Sequence, residues 1–133
     1  MENNIATSIE QSEKLLKLGI DPNTASMTWG TLGKNCEWML NLIPYKGNEK
    51  DKFWAYCPAW TFHDLMKIAG NESCGHVVFR IFANGGFDIF MTCGYGILQV
   101  GSFPGESYLD LLVRSLYQHY VSKYYYEKER HNN

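Results

Sequence analysis

At 133 residues, with 45% hydrophobic and 20% charged side chains, the chain suits one globular domain and is too apolar for intrinsic disorder. Its net charge of −2 supplies no field that would draw it to nucleic acid or an anionic membrane. No apolar run approaches the ~20 residues of a membrane span, and the opening MENNIATSIEQSEK lacks the basic and apolar regions of a signal peptide, so the expected location is the cytoplasm.

Taken in order, residues 1–6 are expected to fray. Thr7 and Glu10 have the form of a capping box. They open a helix that turns Leu15, Leu16 and Leu18 inward and stops at Gly19 in the left-handed cap position. Asp21-Pro22 starts a second, short helix running to about Met27. Trp29 to Asn35 reads as a glycine-bearing loop, and Cys36 to Tyr45 alternates as a strand. Lys46 to Lys52 is an exposed turn, and Phe53 to Cys57 is a returning strand that Pro58 stops. Thr61 and Asp64 form a second capping box, for a helix that buries Phe62, Leu65, Met66 and Ala69 and closes at Gly70.

Cys74 to Phe103 organises the rest. Two runs rich in β-branched and aromatic residues flank Asn84-Gly85-Gly86, and a third follows Gly94-Tyr95-Gly96, which is the pattern of an antiparallel meander. A two-residue Asn84-Gly85 loop would mix polar and apolar residues on each face. A three-residue loop, Asn84 to Gly86, pairs Ala83 with Phe87, Ile81 with Ile89 and Phe79 with Met91, which gives one apolar face. The other face holds Val78, Arg80, Phe82, Asp88, Phe90 and Thr92, with Arg80 diagonal to Asp88. Three large apolar residues there predict a cover, either a helix or a second subunit. Ser107 to Asp110 then opens the longest helix, with Leu109, Leu112, Val113, Leu116, Tyr117, Tyr120 and Tyr124 as its inward stripe, fraying over residues 127–133. The expected fold is α+β: an antiparallel four- or five-stranded sheet with helices packed on it, in the order α-α-β-β-α-β-β-β-α.

The residues that carry chemistry form no recognised constellation. Cys36, Cys57, Cys74 and Cys93 are expected to be reduced and buried as small hydrophobes. Cys57, His63, Cys74 and His76 would hold zinc only if the fold made them converge, since their spacing matches no paired-ligand pattern. A Cys57–His63 or Cys93–His119 pair would make a thiol nucleophile only within hydrogen-bond reach, and both histidines are expected to be partly exposed on helices. Neither glycine loop has phosphate-binding spacing. Phe79, Phe82 and Phe90 offer a stacking platform, but Arg80 is the only cation beside them, so no nucleic-acid groove forms. No cofactor and no catalytic role are expected. Trp60 reads as a core residue at a strand exit, with a Trp60- and His63-lined pocket as the functional alternative. Tyr124, Tyr125 and Tyr126 lie ~100° apart on a helix and cannot all face one core. With Tyr117 they form a candidate interaction surface, and a homodimer through this helix is expected.

The pattern Gln11-Ser12, Leu15, Leu18-Gly19, Thr24 to Met27, Pro58-Ala59-Trp60-Thr61, Leu65-Met66 and the helix led by Gly105-Glu106-Ser107 resembles a family of short uncharacterised proteins of anaerobic gut bacteria, many carried on phages and mobile elements. The resemblance covers most of the chain and rests chiefly on the Pro-Ala-Trp segment before a helix. It implies no activity, cofactor or catalytic residue. The functional expectation is a small cytoplasmic module that binds a protein partner, accessory to a mobile element by the resemblance alone. The alternative is a small-ligand binding protein built around Trp60.

Overall fold

The computed structural model describes residues 5–46 and 52–132. It is α+β and ends in a long helix, but its strands form two three-stranded antiparallel sheets in place of one sheet of four or five. The chain divides into two compact units, Met1–Asp64 and Leu65–Asn133.

In the first unit, α1 (Ile9–Lys17) starts one residue later than its sequence signal suggests. Ser8 is the cap: its hydroxyl accepts from Gln11 N–H at 3.1 Å, and Gln11 Oε1 accepts from Ser8 N–H at 3.0 Å. Thr7 is buried instead, with its hydroxyl 2.8 Å from that of Ser12. Leu15 is buried while Leu16 is exposed, so the inward face is narrower than expected. Gly19 takes φ +89°, and the bonds Gly19 N–H to Leu16 O and Ile20 N–H to Leu15 O close the helix as a Schellman cap. The second helix is only a 3₁₀ turn, Pro22–Thr24, capped by Asp21.

The stretch expected to be a loop contains the central strand of the first sheet. β1 (Met27–Thr31) lies between β2 (Met39–Asn41) and β3 (Ala55–Ala59). Of the long strand expected over Cys36 to Tyr45, only β2 forms. Pro58 does not end β3 but sits inside it, opposite Thr28. β3 is an edge strand, where a missing N–H costs no ladder bond. Ala6, Met27 and Ala59 form a core with Trp29 and Leu40 against them, so Ala6 is ordered rather than frayed. The turn expected at Lys46 to Lys52 falls mostly on residues 47–51, outside the described residues.

α2 (Phe62–Glu72) begins with the predicted capping box. Asp64 N–H donates to Thr61 Oγ1 at 3.1 Å, and Thr61 N–H donates to Asp64 Oδ2 at 2.9 Å. It passes Gly70, where the sequence closes it, and runs two residues further. Leu65, Ile68 and Ala69 are its buried apolar side chains, with Phe62 and Met66 half-buried.

The second unit carries the meander β4 (Val77–Ile81), β5 (Phe87–Cys93) and β6 (Gly96–Gly101). The first loop has three residues, but they are Ala83 to Gly85. Gly85 N–H donates to Phe82 O and Phe82 N–H to Gly86 O, with Gly85 at φ +90° in the left-handed position such a loop needs. The register therefore moves by two, to Ile81 opposite Phe87 and Phe79 opposite Ile89. A shift of two preserves the faces. It turns the diagonal Arg80–Asp88 pair into a direct one, bidentate at 2.8 and 2.6 Å.

α3 (Tyr108–Asn132) is capped by Ser107 and packs on β5 and β6. Its buried stripe is Leu109, Leu111, Leu112, Val113, Ser115, Leu116 and His119. Tyr117 and Tyr124, expected inside, are exposed, and Tyr120 is half-buried. The helix also continues past Tyr126, where fraying is expected. Leu98 and Val100 lie on the α3 side with Ile89 and Met91 and are buried.

Candidate functional site

The second unit brings together Glu72 at the end of α2, Cys93 at the end of β5, Tyr95 in the turn that follows, and His119 and Lys123 on α3. His119 is 2% exposed rather than partly open to solvent. Its Nε2 lies 3.2 Å from Glu72 Oε1, and its Nδ1 lies 2.9 Å from the Tyr95 hydroxyl and 3.6 Å from Cys93 Sγ. A carboxylate can only accept, so Nε2 carries the proton, and in the neutral ring Nδ1 accepts from Tyr95 O–H. Lys123 Nζ reaches the same Glu72 oxygen at 3.3 Å. Burial pushes the Glu72 carboxyl up, but the bond to His119 and the charge and bond of Lys123 outweigh it and hold the group below its ordinary value.

The Cys93–His119 pair is thus within reach, in line with an acid, as a thiol nucleophile would require. The electrostatics oppose that use. Burial raises the Cys93 thiol above its ordinary value, whereas reactive cysteines have lowered ones and open access. Tyr95 is raised too, by burial first and then by Cys93, and burial with the nearby Glu72 pushes Tyr120 to about 12. This is a buried polar network in which each group satisfies its neighbour. The sequence names Cys93 and His119 as a pair but carries no local motif for Glu72 or Tyr95.

None of the other singled-out residues has a hydrogen bond to this network. Cys57 is half-buried, its thiol pushed to about 11 by burial and then by Glu13, and His63 is exposed on α2. Cys36 and Cys74 are exposed, not buried as expected. Among the described residues no group of three or more His, Cys, Asp or Glu side chains is placed to hold a metal ion. Trp60 is wholly buried, with its indole N–H on Thr24 Oγ1 at 2.8 Å, so it presents no wall to a ligand. Tyr124 and Tyr125 are exposed and in edge contact with each other, while Tyr126 leans toward Tyr95. Among the described residues no helix is long and apolar enough to cross a membrane. These exposures predict a thiol count. In the folded protein a disulfide reagent such as Ellman's should react readily with two cysteines, Cys36 and Cys74, and with all four after denaturation. Rapid reaction of Cys93 in the folded state would contradict the network described above.

An open apolar feature of the second unit is the face of β4–β5–β6 away from α3. Val78 is 38%, Phe82 45% and Ile97 66% exposed, with Phe90 half-buried among them. The Arg80 guanidinium lies 5.7 Å from the Phe82 ring and 6.0 Å from the Phe90 ring. Beneath it Asp88 is buried, held by Arg80 and by Gln99 Nε2 at 3.0 Å. The Arg80 bond first, with Gln99 in support, keeps the Asp88 carboxyl below its ordinary value despite burial. No family model, no curated protein and no solved structure matches the chain.

Proposed function

We propose that this chain is a small interaction module that receives a protein partner on the open face of β4–β5–β6. The carrying observation is the composition of that face: aliphatic and aromatic side chains around a stacked arginine, the residue types enriched at the centres of protein interfaces. Contiguous apolar surface rimmed by polar groups marks interaction sites on soluble domains. The absence of a catalytic role fits the raised thiols of Cys57 and Cys93. A nucleic-acid partner is disfavoured, because the Arg80 charge is matched by Asp88. The accessory role in a mobile element stays with this reading and rests on the resemblance of the Pro58-Ala59-Trp60 segment. The small-ligand alternative moves from Trp60 to a cleft of about 400 Å³ lined by Asn84, Phe87, Ser102, Phe103 and Glu106.

The test is affinity capture from the native host with the wild type and with Val78→Glu. Val78 projects outward, so the substitution should shift stability by no more than ~0.5 kcal/mol. It should nevertheless abolish capture of a partner that docks on this face. A partner retained by Val78→Glu would refute the site, and a co-purifying small molecule would favour the alternative.

A further inference from the structure

We propose that two copies of this chain pair through the free edge of β6, which joins their meanders into one continuous sheet. β6 is an edge strand, bonded among the described residues only to β5. The Ser102 N–H to Phe87 O bond fixes the phase of the ladder. Gly96, Leu98 and Val100 exchange bonds with β5, while Ile97, Gln99 and Gly101 turn their N–H and C=O groups outward. On that outward side the Gly101 carbonyl accepts from Arg114 Nη2 at 2.6 Å. The main-chain groups of Ile97 and Gln99 have no partner among the described residues. Edge strands are normally protected by lysine, proline, a bulge or a covering segment. Gly96-Ile97-Leu98-Gln99-Val100-Gly101 contains no charge and no proline, and its ladder with β5 runs without a bulge.

A second copy is the occupant because the strand complements itself. The outward-directed residues are all odd-numbered, so an antiparallel copy must pair odd with odd. One register places Gln99 on the two-fold axis, Ile97 opposite Gly101 of the second copy, and Leu98 opposite its Val100. Leu98 and Val100 are the buried residues of β6, so the face under α3 continues apolar across the junction. On the other face Gly101 has open space where a side chain would begin, and Ile97 of the second copy fills it. The strand itself brings no charge to its copy; Arg114, which already bonds the Gly101 carbonyl and is neutralised by Glu106, lies at the end of the junction, so that carbonyl accepts Ile97 N–H of the second copy on its second lone pair. The contact is isologous, using the same patch twice, as closed dimers do. It also doubles the open face on which the proposed partner docks. One strand pair is smaller than the roughly 1,200 Å² of a stable interface, so the dimer should depend on concentration.

Light scattering across the micromolar range should rise from the mass of one chain to that of two. Over the same range, hydrogen exchange should show the Ile97 and Gln99 amides gaining protection, while the Leu98 amide, already bonded to β5, stays unchanged. Ile97→Pro removes an amide donor that the single chain does not use. It should hold the mass at one chain with the far-ultraviolet circular dichroism intact, whereas Tyr125→Glu on α3 should leave the dimer in place. A one-chain mass at every concentration overturns the proposal, as does a dimer in which the Ile97 and Gln99 amides stay unprotected. A foreign peptide binding along β6 of a chain that remains single overturns it as well. Val78→Glu should not alter the mass, so this result and the capture result fail independently.

Discussion

Trp60→Ala is expected to destabilise the protein by about 3–5 kcal/mol, the cost of emptying a fully buried aromatic site. Trp60 has no exposed surface, and its indole N–H, backbone N–H and backbone carbonyl all have partners in the first unit. Nε1–H donates to Thr24 Oγ1 at 2.8 Å, and the backbone N–H donates to Thr7 Oγ1 at 3.0 Å. The Trp60 carbonyl accepts from Thr7 N–H at 2.8 Å. Truncation leaves a void, which is the main penalty, since the exposed Thr24 hydroxyl can take a water in place of the indole N–H. Urea denaturation followed by far-ultraviolet circular dichroism should show the lower midpoint. A loss below about 1 kcal/mol, the size of an ordinary surface change, would mean that the Trp60 side chain is not closely packed.

Asp64→Ala is expected to cost about 2–3 kcal/mol, more than loss of a simple cap, because one carboxylate serves two segments. Asp64 Oδ2 accepts from Thr61 N–H, from Ser26 N–H at 3.0 Å and from Ser26 O–H at 2.6 Å. It thereby caps α2 and fixes the chain just before β1. Burial raises this carboxyl, but the bonds from Ser26 and Thr61 prevail and leave it below its ordinary value. The folded state therefore binds the proton less tightly than the unfolded chain does. The stabilisation is fully present above the unfolded value, near 3.9, and disappears as pH falls through the lower folded value. Glu72, Asp88 and Glu106 shift in the same direction and contribute to the same acid transition. The difference between wild type and Asp64→Ala isolates Asp64: it should be constant near neutrality and shrink in strong acid. A difference that did not change with pH would show that the side chain acts by packing alone.

Local signals in the sequence were legible where the chemistry is local. The Thr61–Asp64 box, the Gly19 stop and the Ser107 start each depend on residues within a turn of one another, and each is in the structure. The faces of the meander were legible too, because alternation survives a register shift of two. The register itself was not, since either Gly85 or Gly86 satisfies a left-handed position and only the bond from Gly85 N–H to Phe82 O decides between them. β1 was missed because Gly30 and the polar threonines dilute its alternation, and its strand character comes from pairing on both sides. One four- or five-stranded sheet was expected because nothing in the strands themselves records which edges join. His119 escaped because histidine has no fixed preference for burial. Its place inside follows from Glu72 and Tyr95, far away in sequence, being there to satisfy both ring nitrogens.

The clasp between Thr7 and Trp60 also sets an order of events during synthesis. Fifty-three residues separate its two ends. α1 therefore leaves the ribosome well before the residue that secures its entry, and the first unit must wait in an incomplete state. The meander meets no such delay, because β5 pairs with β4 across a three-residue loop and with β6 across a two-residue turn. Local contacts of this kind form faster than distant ones. The meander is thus expected to close soon after Gly101 appears, whereas the first unit waits for Trp60 and the Glu72–His119 bond of the second unit, 47 positions apart, waits for α3.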